Sequence, residues 1–248
     1  EAIVRSDELS VVGLVEIARA LPMFLRAKKA LRRSADERMP DVVILVDFPD
    51  FNLKLAKALK KRGFRIVYYI SPQLWAWHTG RIKQVEKFIS KMLVVFPFEK
   101  DFYLGHGVKA EFVGHPLLEE MTPNLFDPLE RKTARSRYGI LDDELVLGLM
   151  PGSRKSELKN NLGTQLKAAS VLSAKYSKLK IALLVAPGLD RDVISQSLPP
   201  DGPALILIQA PPFEMLRIMD VVLVASGTAT LSAGLMQVPM VIMYKMNA

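Results

Sequence analysis

The chain has 248 residues, with 34 basic and 26 acidic side chains and a formal net charge of +8 at pH 7. Half of the residues are hydrophobic, which is enough to bury a substantial core, and this length is compatible with one domain or two. The absence of cysteine excludes a disulfide framework and a thiolate metal site, and only three histidines argue against a metal centre. The positive charge favours anionic partners such as nucleotides, phosphorylated substrates or an anionic membrane surface.

The first predicted element is a helical segment over residues 11–33, where apolar residues recur at helical spacing and six basic residues follow from Arg19 onward. Pro22 is expected to kink this helix or split it in two. One interpretation is a helix that covers a sheet. The other is an interfacial helix that places four apolar side chains against lipid: Val15, Leu21, Phe24 and Leu25.

The rest of the chain alternates short runs of Val, Ile and Leu with helical patterns, which is typical of βα units and parallel sheets. Strands are predicted at residues 41–47, 64–70, 91–96, 108–113, 145–150, 180–185, 204–208, 220–224 and 239–243. Helices are predicted at residues 51–62, 80–90, 156–176, 189–197, 212–219 and 227–237.

Residues 115–143 interrupt this pattern with three prolines and many charges, which indicates a domain boundary. We therefore predict an α/β protein of two doubly wound, Rossmann-like domains facing a cleft, residues 1–125 and 126–248. Ligands of such sheets bind beyond the carboxyl ends of the strands. The chain starts at Glu1 without an initiator methionine and stops just after an apolar strand, so we expect both termini to be truncated. The sequence contains no apolar run of about 18 residues, so no transmembrane helix is expected.

Two loops follow buried strands and open helices in the second predicted domain. The first contains Gly152, Ser153 and Arg154, and its backbone amides and arginine suit a phosphate. An ordinary βα turn with a surface arginine is the alternative. The second contains Ser226, Gly227 and Thr228. Two such loops in one domain predict a bound nucleotide diphosphate, although neither a dinucleotide fingerprint nor a Walker A loop occurs.

Two stretches of the first domain are candidates for substrate contacts. Asp47 ends the strand DVVILVD, where its carboxylate is placed to act as a general base or merely to solvate the turn. Asp50 is expected to cap the following helix. Trp75 and Trp77 share one loop, which suits a sugar or acyl ligand, although packing over a sheet edge is the more usual explanation for two tryptophans.

Six segments in this order and spacing resemble the lipid-A-disaccharide synthases, family 19 of the glycosyltransferases, which have the two-domain GT-B fold. The segments are DFPDFN, YYISPQLWAW, FPFEKDFY, FVGHPL, MPGSRKSE and ASGTATL. The resemblance implies transfer of 2,3-diacylglucosamine from UDP-2,3-diacylglucosamine to 2,3-diacylglucosamine 1-phosphate, with inversion, forming a β-1,6 disaccharide. It also implies no metal, no cofactor and no nucleic acid, and a peripheral location on the inner face of the inner membrane.

The resemblance also implies roles for individual residues. Asp47 matches an essential aspartate of the family, and Arg154 matches an arginine that would neutralise charge on the departing UDP. Residues in the implied nucleotide loops are Gly152, Ser153, Glu157, Ser226, Gly227 and Thr228. The helix around Val15 to Leu25 matches an element that meets membrane or acyl chains. The first domain would then bind the acceptor, and the second the nucleotide sugar.

The chain departs from the family pattern at Ser232, which stands where a glutamate suited to binding the ribose hydroxyls is common. The family's glycine-rich segment GExSGD is also absent, because the chain begins after it, and this leaves open whether the chain alone is active. Two other functions remain as alternatives. One is another GT-B enzyme, a UDP-N-acetylglucosamine transferase or epimerase, and the other is a basic nucleic-acid-binding module, for which no recognisable motif occurs.

Overall fold

The structure, a computed structural model, describes residues 14–77, 79–196 and 198–243. Two compact units make up the chain: the first ends at Pro116 and the second begins at Leu117. The boundary predicted from the sequence lies later, between residues 125 and 126. The difference has a physical cause, because Leu125 is buried in the core of the second unit and Leu117 and Met121 pack against that core.

The described strands of the first unit form a parallel sheet in the order β1-β2-β3-β4. Its elements in chain order are α1 (Leu14–Arg38), β1 (Val43–Val46), α2 (Pro49–Lys60), β2 (Ile66–Tyr69), a 3-10 turn (Thr79–Arg81), α3 (Ile82–Phe88), β3 (Lys91–Val94), α4 (Pro97–Gly105) and β4 (Ala110–Phe112). This order places the segments that follow β1 and β2 next to each other at one edge of the sheet.

Helix α2 shows why these residues form a helix on a sheet. Phe51, Leu55 and Leu59 recur every four residues and are buried, whereas Lys54 and Lys57 between them are exposed. Burial of each large apolar side chain contributes roughly 1.5–3 kcal/mol to the free energy of folding. The apolar face therefore fixes how α2 lies on the sheet, and with it the loop at the start of the helix.

Helix α1 runs through Pro22 as one helix, so the predicted split at this proline does not occur. Ala27 and Ala35 are buried in the core of the first unit, and Phe24 and Leu31 pack against it. Among the described residues, no helix combines the length and apolar character needed to cross a membrane.

The described strands of the second unit form a parallel sheet in the order β7-β6-β5-β8-β9. Two 3-10 turns (Pro116–Glu120 and Pro123–Phe126) precede the elements α5 (Pro128–Ser136), β5 (Leu145–Met150), α6 (Lys155–Lys175), β6 (Leu179–Leu184), α7 (Arg191–Gln196), β7 (Leu205–Ile208), α8 (Pro212–Leu216), β8 (Val221–Ala225), α9 (Thr228–Leu235) and β9 (Met240–Met243). The chain adds β6 and β7 on one side of β5 and then returns to add β8 and β9 on the other. The doubly wound order predicted for this unit is confirmed, with its reversal between β5 and β8.

Helix α5 lies inside the stretch that the sequence pattern indicated as an irregular boundary. Asp127 caps it by accepting a hydrogen bond from the amide of Leu129 at 2.9 Å, and Pro128 occupies the first helical position. The buried Arg135 of this helix bonds the carbonyl oxygen of Leu141 at 3.3 Å. An aspartate followed by proline is itself a helix-start signal, and this signal was present in the sequence.

Candidate functional site

A cavity of about 390 Å³ lies at the carboxyl ends of β5 and β8 in the second unit. Its lining includes every nucleotide-loop residue predicted from the sequence: Gly152, Ser153, Arg154, Glu157, Ser226, Gly227 and Thr228. The reversal of strand order brings these residues together, because it makes β5 and β8 neighbours although they are distant in the chain. The side chain of Ser232, at the position of the family's common glutamate, is buried and also lines the cavity.

A larger cavity of about 710 Å³ lies between α6 and residues 199–203 of the same unit. Apolar side chains such as Leu158, Leu162 and Leu166 line it, and Lys159 and Lys167 are the cations among its lining residues. None of the predicted site residues lines it. The smaller cavity at the strand ends therefore remains the candidate site.

The turn after β5 is built around a glycine and a glutamate. Gly152 has a φ angle of +124°, and a Cβ atom added there would overlap Oε2 of Glu157. That oxygen accepts hydrogen bonds from the amides of Ser153 at 2.8 Å and Arg154 at 3.3 Å. The guanidinium of Arg154 donates to Oε1 of the same carboxylate at 2.8 Å. The amide donors that were expected from the sequence to face a ligand are therefore hydrogen-bonded to Glu157.

Two further side chains of helix α6, both amides that the sequence patterns did not reveal, also bond the backbone at the end of β5. Asn161 donates to the carbonyl oxygen of Pro151 at 2.9 Å. Gln165 is fully buried and donates to the carbonyl oxygens of Met150 at 3.2 Å and Leu223 at 3.0 Å, which joins the ends of β5 and β8. Because Glu157, Asn161 and Gln165 follow one another at intervals of four, they lie on one helix face. That spacing was the available signal.

The loop after β8 presents hydroxyl groups at the start of α9. Ser226 and Thr228 are exposed and line the cavity, and the Ser226 amide is bound to the carbonyl oxygen of Met243 at 2.8 Å. The hydroxyl of Thr230 bonds the carbonyl oxygen of Gly227 at 2.7 Å, which closes the first turn. The first amides of a helix have no carbonyl partners within it and carry a partial positive charge. This loop therefore adds anion-stabilising groups opposite Arg154 across β5 and β8.

Asp47 lies in a backbone turn that the surrounding side chains hold in place. Asp47 and Phe48 both have left-handed backbone angles, with φ values of +47° and +48°. The buried Asn52 donates to the carbonyl oxygens of Val46 at 2.9 Å and Asp47 at 2.8 Å, and the Tyr68 hydroxyl donates to the latter at 2.5 Å. Two consecutive non-glycine residues in this region cost about 1–3 kcal/mol each, and such strain is concentrated at functional sites.

The side chain of Asp47 is exposed while its backbone is fixed. Burial, reinforced by the Asp47 carboxylate, raises the pKa of the Tyr68 phenol, so this hydroxyl stays protonated and remains a donor at neutral pH. The predicted cap by Asp50 is wrong: Phe48 occupies the cap position without a side-chain bond, and Asp50 forms an ion pair with Arg81 at 2.8 Å. The side chain that bonds the backbone of this turn is instead Asn52, four residues after Phe48.

Trp75 and Trp77 lie in a loop that a buried carboxylate anchors. Glu99 is 1% exposed and accepts hydrogen bonds from the Ser71 hydroxyl at 2.8 Å and the Trp75 indole at 3.2 Å. The ring of Trp75 meets Phe98 edge-on at 5.0 Å, and 40% of Trp75 and 66% of Trp77 remain exposed. The loop therefore presents aromatic surface instead of burying it. Glu99 was missed, although a glutamate three residues after Phe96, at the start of a helix, is a recognisable signal.

The apolar residues predicted to meet a membrane differ in their surroundings. The Phe24 ring packs at 5.9 Å from Phe48 and 6.0 Å from Phe51, whereas Leu25 is 59% exposed. The side chains of Val15 and Leu21 lie outside the described residues. Helix α1 also carries the cation Lys28. Partial burial and the nearby positive charges of Arg32, Lys54 and Lys57 lower the pKa of Lys28.

Within the described part of the chain, no group of three His, Asp or Glu residues is placed to hold a metal ion.

Comparisons with known proteins show what this chain is similar to. The family model described as lipid-A-disaccharide synthetase matches residues 1–248. The chain is 40% identical over 247 residues to a lipid-A-disaccharide synthase of Myxococcus xanthus strain DK1622, covering 100% of this chain and 63% of that protein. It is 42% identical over 246 residues to the synthase of Koribacter versatilis strain Ellin345, covering 99% and 63%. The chain thus spans about 63% of the length of the curated relatives it matches.

Among solved structures, the UDP-GlcNAc 2-epimerase from Neisseria meningitidis bound to UDP-GlcNAc is similar, with a TM-score of 0.61 and 14% sequence identity. That match covers 88% of this chain and 63% of the epimerase chain. The likeness shows the fold alone, which is the α/β GT-B fold with parallel sheets.

Proposed function

The chain belongs to the lipid-A-disaccharide synthetase family, and from this premise we propose that the protein is an inverting glycosyltransferase of lipid A biosynthesis. The donor is UDP-2,3-diacylglucosamine and the acceptor is 2,3-diacylglucosamine 1-phosphate. The 6-hydroxyl of the acceptor attacks C1 of the donor sugar, the bond from C1 to the UDP oxygen breaks, and a β-1,6 disaccharide 1-phosphate and UDP result. Relatives named lipid-A-disaccharide synthase are 37–42% identical to the chain over the aligned residues.

The observation that carries the proposal is the convergence of two loops on one cavity of the second unit. Arg154 and the start of α9 supply a guanidinium, hydroxyls and helix amides at the reversal of the sheet. This set suits the pyrophosphate of UDP, and in the transition state it would stabilise the negative charge that develops on the departing UDP. We assign nucleotide binding to Gly152, Ser153, Ser226, Gly227 and Thr228 and transition-state stabilisation to Arg154.

In the first unit, we assign the role of general base to Asp47. Its exposed carboxylate would take the proton of the acceptor hydroxyl as that oxygen bonds to C1. The contacts of Asn52 and Tyr68 to the Asp47 carbonyl fix the turn, so the backbone from which the carboxylate projects has a defined position before the acceptor arrives. The strained backbone supports this assignment, because strain is retained where the surrounding structure enforces it.

The acylated substrates supply the reason for the exposed apolar side chains. We propose that Leu25, Trp75 and Trp77 contact acyl chains or the membrane surface, and that the protein attaches peripherally to the inner face of the inner membrane. The cations around Lys28 would lie near anionic headgroups, where each cation near the surface contributes about 1 kcal/mol to attachment. Val15 and Leu21 belong to the same proposed contact by the family resemblance, whereas the Phe24 ring packs against Phe48 and Phe51 and is left out of it.

Calorimetric titration with UDP tests the proposal at its central feature. We expect this chain to bind UDP and the variant Arg154→Ala to bind it about 10- to 100-fold more weakly, because a charge-assisted hydrogen bond contributes about 1.5–3 kcal/mol. Arg137→Ala is the matched control, since Arg137 is exposed in the same unit and does not line the cavity. Equal UDP affinity of the two variants would remove Arg154 from the nucleotide site.

A further inference from the structure

The donors of the turn after β5 form a complete set for one anion. They are the amides of Ser153 and Arg154 at the start of α6 and the guanidinium of Arg154. Backbone amides at a helix start, combined with a guanidinium, are a donor set that proteins use for phosphate. In this protein the Glu157 carboxylate accepts from all three.

The carboxylate and a phosphate cannot be bound by these donors at the same time. Oε2 of Glu157 lies so close to the turn that a Cβ atom on Gly152 would overlap it. No space remains between the turn and the carboxylate for a phosphate oxygen. The Glu157 side chain is one-third exposed and lines the cavity, so it has room to rotate away from the turn.

The turn does not depend on Glu157 alone for its shape. Asn161 holds the carbonyl oxygen of Pro151, and Gln165 holds that of Met150. The side chains of Asn161 and Gln165 are buried and donate to backbone carbonyl oxygens of the turn, whereas Glu157 accepts from its backbone N–H groups. The two amides would therefore keep the donors in position after Glu157 has left them.

We propose that Glu157 is an internal competing anion, which a phosphate group of the nucleotide displaces from the donors of this turn. The proposal rests on the proposed function and refines the role of one residue in its nucleotide site. The measured affinity for UDP then reflects the binding free energy of the phosphate on these donors minus that of the Glu157 carboxylate which it replaces. The carboxylate thus weakens UDP binding and speeds the release of UDP as product.

Removal of the charge at residue 157 tests this exchange. In Glu157→Gln the side-chain oxygen can still accept from the two backbone amides, so the turn is retained while the negative charge is lost. We expect calorimetry on the whole chain to show UDP and inorganic pyrophosphate binding about three- to tenfold more tightly than to the wild type. The affinity for uridine, which has no phosphate, should stay unchanged when measured by NMR titration.

Two further variants separate charge from structure. Glu157→Asp keeps the negative charge at the turn and is expected to leave UDP affinity within about twofold of the wild type. Glu130→Gln removes a carboxylate of the same unit that pairs with Arg217 at 3.5 Å and does not line the cavity. It should leave the affinities for UDP and pyrophosphate unchanged, and thermal unfolding of each variant shows whether the fold is retained.

The outcomes distinguish this proposal from the proposed function. Three results would overturn the exchange. The first is unchanged or weaker pyrophosphate binding by Glu157→Gln, and the second is an equal gain in its affinity for uridine. The third is a failure of every variant to bind either anion. If pyrophosphate binds more tightly to Glu157→Gln but UDP binds to neither protein, the exchange stands and nucleotide binding by this chain is refuted.

Discussion

Gly152 determines both the backbone of the turn after β5 and the space next to its hydrogen-bond donors. Its φ angle of +124° disfavours any side chain, and the space that a Cβ atom would take is filled by Glu157. The glycine thus permits both the turn and the approach of the carboxylate to the Ser153 amide. The sequence showed that a small residue was needed here, but not which atom filled the space.

We expect Gly152→Ala to lower the free energy of unfolding by roughly 1–3 kcal/mol, because the backbone is strained and the helix cap formed by Glu157 is displaced. Urea denaturation measures the change. Gly163→Ala is the matched control: this glycine lies in α6 with no atom within 4 Å of the position that a Cβ atom would take, so alanine there should stabilise the helix by about 0.5–1 kcal/mol. A neutral Gly152→Ala variant would contradict the packing described for the turn.

Asp47 carries the second prediction at the scale of single residues. In the full-length protein, Asp47→Asn should reduce turnover by about 10²- to 10⁴-fold, because the amide cannot accept the proton of the acceptor hydroxyl. UDP affinity should be unaffected, since the nucleotide loops belong to the second unit. Asp50→Asn is the control, as Asp50 pairs with Arg81 at the surface. Turnover near that of the wild type in Asp47→Asn would rule this carboxylate out as the base.

Two consecutive residues of helix α1, Phe24 and Leu25, have different surroundings. Phe24 packs against Phe48 and Phe51, so its ring supports the turn next to Asp47. Leu25 points its apolar side chain to the surface. One side of the helix therefore packs on the core of the first unit, and another presents apolar and basic groups, whose contact with a membrane stays a prediction.

Vesicle binding distinguishes the two sides of α1. Leu25→Ser should weaken co-sedimentation with anionic phospholipid vesicles several-fold and change the free energy of unfolding by less than about 0.5 kcal/mol. Phe24→Ala should lower the free energy of unfolding by about 1–3 kcal/mol, because it opens the aromatic cluster. Vesicle binding that is the same for Leu25→Ser and the wild type would place the membrane contact elsewhere.

The strands were the elements most completely predicted. All nine described strands lie at the predicted positions. In β5 and β6 the cause is burial on both faces, which leaves a continuous apolar signal. The helices were predicted less completely. Helices α4 and α5 were not among the predicted helices, although an Asp-Pro start precedes α5, and Pro22 was expected to kink or split a helix that continues through it.

At the scale of the whole molecule, the sequence predicted which loops meet but not what holds them. Parallel strands put their carboxyl ends at one edge, so two small-residue loops after two strands were expected to converge. Gln165 contacts Leu223, 58 residues away, and Glu99 contacts Trp75, 24 residues away, so local spacing could mark these side chains but not their partners. The position of Glu157 on the anion donors likewise required three-dimensional structure.

The order of strands in the second sheet has a consequence for the stability of the protein. The cavity is bounded by the loops after β5 and β8, which belong to the first and second halves of this unit's sequence. A nucleotide held by both loops would join them only in the folded form, so its binding would favour that form over the unfolded chain. By mass action, such a ligand at 100 times its dissociation constant adds about 2.7 kcal/mol to the stability of the form that binds it. The cell's supply of nucleotide sugar would then help to keep this unit folded.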